Sequence, residues 1–355
     1  MSNLHRTLLD QAVQAFAPCV TQLAGASVYV NGASGFLASN LLLFLSEANR
    51  YHALKLRLFA SARRPMDQVS VFRFTGIVPE VNWQIASAQE AQLPQEDGLI
   101  AVHTASYGSP KDYLREPMET MDANIKGMAR LFDGPVLPAH VVYLSSAEIY
   151  GQPPEQAIPT PETFIGGSDL SSPRCIYAES KRVTEAMGIV LTSKFGIPLT
   201  VIRPFHIYGP GQRLEDGRIP IEFLRQARVS GGIHLNGDGT PTRCLCYAWD
   251  GIRQLASALP RGPEPLRAFN IGNPALECSV LKAAQACANT VLRGSSQVTC
   301  GSPRGNGGAQ RCIPSIDRIL SVGGQAPCIS LEEGLRATAE WCDHSLGITR
   351  PTGGR

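Results

Sequence analysis

SVYVNGASGFLASNLLLFL, residues 27–45, decides the fold. SVYVN (27–31) is a short β-branched run that meets glycine at Gly32, after which Leu37, Leu41, Leu42 and Leu45 recur at helical spacing. LKLRLFAS (54–61) then alternates as a second strand, so strand, glycine turn, helix and strand make one βαβ unit. Working outward, GLIAVHTA (98–105), HVVYLSS (140–146) and LTVIRP (199–204) read as buried strands, with helical stretches near 117–132 and 176–195. Strands alternating with helices predict an α/β protein built on a doubly wound parallel sheet with both faces covered.

After residue 205 glycine, proline and charge become denser, which predicts a smaller C-terminal α/β substrate-binding lobe. The expected division is 1–205, with 240–272 returning to it, for the dinucleotide-binding domain, and 206–239 plus 273–355 for the lobe. GSSQVTCGSPRGNGGAQRC (294–312) reads as a polar surface loop, and the final TRPTGGR as a frayed end. Composition narrows the function classes. A chain of 355 residues with 43% hydrophobic content can bury a large core, which excludes a disordered regulator. Thirty-two basic against 30 acidic residues, with 17% charged overall, leave no footprint for nucleic acid or an acidic membrane. No apolar run is long enough to span a bilayer, and MSNLHRTLLDQAVQAF reads as an amphipathic helix rather than a secretory signal, so a cytoplasmic location is expected. The ten cysteines (19, 175, 244, 246, 278, 287, 300, 312, 328, 342) contain no CxxC pair; reduced thiols and no metal site are expected.

Gly32-Ala-Ser-Gly35-Phe-Leu-Ala38 follows a strand and opens a helix. A glycine turn there lets backbone N–H groups approach a pyrophosphate while the helix N-terminus supplies partial positive charge, so NAD or NADP binding is expected. The second strand ends in Ser61-Ala-Arg63-Arg64 with no carboxylate for a ribose 2′-hydroxyl. The two arginines suit a 2′-phosphate and lean toward NADP, while Ser61 suits a plain ribose; the choice stays open. Tyr177-Ala-Glu-Ser-Lys181 puts a phenol and an ammonium on one helical face, about one turn apart. A neighbouring ammonium favours the phenolate, and such a tyrosine can take the proton of a substrate hydroxyl while the same carbon gives up a hydride. Ser146, at the carboxyl end of a strand, is placed to hold that hydroxyl. His103, inside an apolar strand, reads as a core histidine.

Gly32-x-x-Gly35-x-x-Ala38, Ser146, Tyr177-x-x-x-Lys181 and Arg203-Pro-Phe-His-Ile-Tyr-Gly-Pro210 resemble the extended short-chain dehydrogenase/reductases that act on nucleotide sugars, over roughly residues 27–290. Within that superfamily Ala105–Tyr113 followed by Pro117 and Asn124–Gly127, Ser145–Pro153, Tyr177–Glu185, and Asp216-Gly-Arg-Ile with Gly237–Arg243 look most like UDP-glucuronate decarboxylases. The resemblance implies a Rossmann-type fold and a homodimer. It implies that Ser146 and Tyr177 bind and deprotonate the sugar 4-hydroxyl, that Lys181 supports the phenolate and the cofactor, and that Glu148 works at the C5/C6 end. It further implies cofactor contacts at Ser34, Phe36, Leu37, Thr104, Ala105, Pro204 and His206, and substrate contacts at Tyr107, His206, Arg213 and Arg243. Ala147 stands where decarboxylases usually carry serine, and His206 where they usually carry asparagine.

Oxidation at C4 opens three outcomes. A C6 carboxylate makes the product a β-keto acid that loses CO2; a C6 hydroxyl is eliminated as water; a ketone that turns over in place is reduced on its other face. The expected activity is therefore a nucleotide-sugar lyase, decarboxylating or 4,6-dehydrating, with a 4-epimerase and a non-catalytic dinucleotide sensor as the competing readings.

Overall fold

The computed structural model describes residues 4–16, 22–260, 262, 264–292, 297–302 and 310–348. Its centre is a seven-stranded, wholly parallel sheet of β1 (Ser27–Asn31), β2 (Arg57–Ala62), β3 (Asn82–Ile85), β4 (Ile100–His103), β5 (His140–Leu144), β6 (Leu199–Pro204) and β11 (Leu266–Ile271). Across the sheet the order is β11-β6-β5-β4-β1-β2-β3. The strand order reverses between β1 and β4, which opens a crevice beyond their carboxyl ends, the usual ligand position in open α/β sheets. β1, β4 and β5 are buried along their whole length, as their unbroken apolar runs require.

The helix after the glycine turn runs over Phe36–His52, and its consecutive Leu41, Leu42, Leu43, Phe44 and Leu45 are all fully buried. A helix apolar all round must be covered all round. The sheet covers one side; the other is covered by the N-terminal helix Leu4–Ala15 and by the helix Ala248–Ser257. His5 anchors the first of these, stacked on Trp249 at 4.5 Å with its Nδ1 2.7 Å from the Tyr247 hydroxyl.

Past β6 the chain forms three small sheets. β7 (Ile207–Tyr208) pairs with β10 (Cys246–Tyr247), β8 (Gly232–Leu235) with β13 (Gln297–Cys300), and β9 (Thr242–Cys244) lies between β12 (Glu277–Ser279) and β14 (Arg311–Cys312). The helices Ile221–Ser230, Val280–Val291 and Leu331–Ser345 pack against one another beside them. The expected loop at 294–312 is corrected in two places: Gln297–Cys300 and Arg311–Cys312 are strands, their edges satisfied by β8 and β9 despite the polar sequence. The rest of that loop that falls at 294–296 and 303–309, together with TRPTGGR, lies outside the described residues. Two sheet strands, β3 and β11, have no counterpart in the sequence reading.

No helix among the described residues is long and apolar enough to cross a membrane. The nine described cysteines are all free thiols, Cys19 lying outside the described residues. Among the described residues no three metal-ligating side chains converge.

Candidate active site

Gly32 takes a left-handed conformation (φ +67°) at the end of β1, and a Cβ built there would stand 2.7 Å from the Ala105 Cα. Only glycine lets the turns after β1 and β4 approach this closely. Asn31 fastens the same junction: its side-chain carbonyl accepts the Thr104 and Ala105 amides at 3.0 and 3.3 Å, and Thr104 Oγ1 donates to the Asn31 carbonyl. The helix that follows starts at Phe36, with Gly35 as its cap, no side-chain cap and no acidic residue in its first turn. Its leading N–H groups therefore face the crevice unneutralised, with Ser34, Gly35, Phe36 and Leu37 around them, an arrangement that fits the pyrophosphate of a dinucleotide.

At the end of β2 the arginines diverge in their contacts. Arg63 donates to the Tyr107 hydroxyl at 2.9 Å and lies 5.4 Å above that ring, while Arg64 reaches the Ser34 carbonyl at 3.4 Å. Both stay exposed at the rim of the glycine turn. Ser61 does not reach the crevice. It is fully buried, with its hydroxyl 2.7 Å from that of Tyr29, so the ribose contact read from its position is corrected to a hydrogen bond inside the core. Tyr107, expected on the substrate, is engaged by Arg63 across the crevice.

Ser146, Tyr177 and Lys181 are brought together by β5 and the helix Cys175–Phe195. β5 ends at Leu144, and Ser146 caps the short 3-10 turn Ala147–Tyr150 by accepting the Glu148 amide at 3.2 Å. Tyr177 stands on the helix, hydrogen-bonded to Ser146, and Lys181 one turn later is buried with its Nζ donating to the Leu144 carbonyl at 2.7 Å. The ammonium lies 5.8 Å from the Tyr177 ring centroid and 5.0 Å from that of Tyr143. A buried Arg203–Glu185 pair at 2.7 Å ties this helix to β6.

The electrostatics correct one expectation. The Tyr177 phenol is pushed up, because burial outweighs the Ser146 hydrogen bond and the Arg218 charge that favour the phenolate. Lys181 itself is pushed down to about 7 by burial. Burial thus favours the neutral form of both groups rather than a fixed ammonium beside a phenolate.

Tyr113 stacks on Tyr177, centroids 5.1 Å apart and planes 12° off parallel. Glu148 is exposed at the mouth of the site, where its charge reaches Tyr113, Tyr177, Arg218 and Cys312. His206, after β6, is held at φ +39° with its Nδ1 buried and unpartnered. Burial, then the Arg243 and Arg218 charges, push it down to about 3, so it is a neutral imidazole. Pro204 lies two residues before it, at the end of β6. Arg243 is half-buried and lines a cavity of about 590 Å³ with Lys111, Phe223, Gln226, Asn236 and Gln310. Arg213 turns to Asp112 at 2.9 Å and is largely exposed. His103 lies in the core between Asn31 Oδ1 and the Asn124 carbonyl, both 2.9 Å away, and is pushed down to about 3 by burial.

Residues 28–272, running from β1 to the end of β11, match the NAD dependent epimerase/dehydratase family. The chain belongs to this family. Membership makes it one of a family of NAD-dependent enzymes. UDP-glucuronic acid decarboxylase 5 of Arabidopsis thaliana is 27% identical over 327 residues, 90% of each chain. UDP-glucuronic acid decarboxylase 1 of Danio rerio is 29% identical over 246 residues, 69% of this chain and 57% of that one, so the match spans little more than half of that relative. Among solved structures, the UDP-glucose 4-epimerase of Thermotoga maritima, crystallised with UDP-glucose, superposes with a TM-score of 0.73 at 21% identity, covering 90% of this chain and 99% of that one.

Three residues placed here were given no role by sequence reasoning: Asn31, Tyr113 and Arg218. Asn31 immediately precedes the first motif glycine, which is the one signal that marks it. The other two lie inside stretches that resemble the decarboxylases, but the stacking of Tyr113 on Tyr177 and the reach of the Arg218 charge to it exist only in three dimensions.

Proposed function

We propose that the protein oxidises C4 of a nucleotide-activated sugar with a bound NAD-type cofactor, and that the sugar is a glucuronate which then loses CO2. The observation that carries this reading is the convergence of Ser146, Tyr177 and Lys181 beside the crevice between β1 and β4, with Glu148 one step farther out. A bound oxidised nicotinamide supplies a hydride acceptor for C4 and later returns the hydride. Ser146 holds the 4-hydroxyl, and Tyr177 takes its proton as the phenolate after giving up its own phenolic proton toward Lys181, whose burial leaves it partly neutral and able to accept. The product at C4 is a ketone. With a carboxylate at C6 it is a β-keto acid: the C5–C6 bond breaks, CO2 leaves, the electron pair passes to the C4 oxygen as an enolate, and C5 then takes a proton. Glu148 stands where it can manage that C5/C6 end. Lys111, Phe223, Gln226, Arg243 and the surrounding cavity take the nucleotide, and His206 and Arg243 border its diphosphate.

In this reading the body formed by 1–205 and 240–272 holds the cofactor, and 206–239 with 273–355 holds the nucleotide. Arg63 and Arg64, with no carboxylate beside them, leave room for a 2′-phosphate, so NADP is the finer proposal against NAD; the ratio of the two dissociation constants tests it. A homodimer is proposed through Pro117–Arg130 and Cys175–Phe195, whose outward Met118, Val183, Ile189 and Val190 are exposed in one chain.

The deciding experiment incubates the purified protein with UDP-glucuronate, dTDP-glucose and GDP-mannose and reads the products by mass. Loss of CO2 from UDP-glucuronate is the expected result. Loss of water from a neutral hexose identifies a 4,6-dehydratase, an isomer of unchanged mass an epimerase, and no turnover on any of them a dinucleotide sensor.

A further inference from the structure

Arg218 follows the left-handed turn at Gly217 (φ +73°), just before the helix Ile221–Ser230. Its Nε and Nη2 both donate to Asp216 Oδ2, at 3.0 and 2.6 Å. The Asp216 side chain is 5% exposed, and the same oxygen accepts Gln212 Nε2 at 2.7 Å. One edge of the guanidinium is therefore fixed by a buried carboxylate. The other edge, Nη1 with the second N–H of Nη2, has no hydrogen bond to a described residue, and 42% of the side chain is open. A planar fork with one edge anchored and one edge free is pre-organised for a second, bidentate anion.

Position says which anion. The neighbouring Gly217 and Ile219 line the cavity that Arg243 also borders. Arg218 is close enough to the Tyr177 hydroxyl and the Glu148 carboxylate for its charge to act on both. In the reading above, Tyr177 marks C4 and Glu148 the C5/C6 end, and C6 is two bonds from C4. A carboxylate at C6 would face Glu148, a like charge that disfavours binding unless a cation intervenes. The open edge of Arg218 supplies that cation. A neutral CH2OH at the same place leaves the guanidinium desolvated without a matching charge.

We infer that Arg218 recognises an anionic substituent at C6 of the sugar, so that the site selects a uronate over the corresponding neutral hexose. The inference rests on the glucuronate function proposed above and names the residue that would select for it.

The test measures affinity calorimetrically on the cofactor-loaded protein for UDP, UDP-glucose and UDP-glucuronate, in a Tyr177→Phe background so that no ligand is consumed. Arg218→Met should weaken UDP-glucuronate by about 10- to 100-fold, the range of one charge-assisted hydrogen-bonded pair, and leave UDP and UDP-glucose unchanged. Arg218→Lys should recover part of the loss, because it restores the charge without the fork. Unchanged UDP binding doubles as the control for folding. An equal loss for all three ligands assigns Arg218 to the diphosphate or to the fold and overturns the inference. So does a variant with no loss, or a parent protein that binds UDP-glucose as tightly as UDP-glucuronate. A parent that binds no uridine nucleotide at all refutes the proposed function itself, which the UDP arm reports separately.

Discussion

Replacing Gly32 by alanine isolates the closest backbone approach in the cofactor crevice. The new Cβ would sit 2.7 Å from Ala105 Cα and 2.8 Å from its amide nitrogen, both backbone atoms that cannot swing aside. Holding alanine at φ +67° costs about 1–2 kcal/mol. Forcing an atom into a filled space costs about 1–3 kcal/mol more. Relief requires Ala105 to retreat, which stretches the two Asn31 bonds that hold Thr104 and Ala105, so the expected destabilisation is about 2–5 kcal/mol. Gly25 is the control. It has φ +74° but nothing within 4 Å of a built Cβ, so Gly25→Ala should carry the conformational cost alone, about 1–2 kcal/mol. Urea unfolding of the two variants without added cofactor gives the difference, and NAD titration should show weakened binding for Gly32→Ala only. Equal stabilities for the two variants, or normal NAD binding by Gly32→Ala, would refute the argument that this turn is closed by contact rather than by backbone preference.

Other outcomes follow from the same structure. Tyr177→Phe should keep the stack on Tyr113 and retain the cofactor while lowering turnover by about 10²-fold or more, read as product formation from UDP-glucuronate. Glu148→Gln should leave C4 oxidation intact and stall the later step, visible as accumulation of a reduced-cofactor absorbance; a normal second step removes Glu148 from the chemistry. Stability should fall as pH drops below about 6.5. His5, His103 and His206 each have a folded-state pKa of about 3, below the 6.5 of the unfolded chain, so the unfolded state binds more protons between those values. Each contributes a loss of about 1.4 kcal/mol per pH unit in that window, checked by unfolding midpoints at several pH values; His5→Gln should flatten the slope by about a third.

The parts legible in the sequence are those governed by local rules. β1, the glycine turn and the helix after it are readable because β-branching, a left-handed glycine and a 3.6-residue period each act over a few neighbours. β6 and the helix carrying Tyr177 and Lys181 were readable to within a residue for the same reason. β3 and β11 were not. NWQI carries little apolar signal because β3 is an edge strand, and LRAFNI becomes a strand only by pairing with β6, more than sixty residues earlier in the chain. The strands within the glycine-rich stretch likewise owe their existence to partners at Gly232–Leu235 and Thr242–Arg243.

What the amino-acid order determined by itself was a cofactor-binding α/β protein and the identity of its serine, tyrosine and lysine, since spacing along one helix and position after one strand suffice for those. Charge states were settled only by tertiary packing. Burial, not the neighbouring lysine, sets the Tyr177 phenol. Ser61 faces the core because its strand pairs β1 with that side inward. Arg218 is held in place because Asp216, two residues earlier and buried by the surrounding packing, fixes one edge of its guanidinium and leaves the other free. Solvent exclusion and the direction of a side chain depend on every element packed around it, and no local pattern encodes that sum.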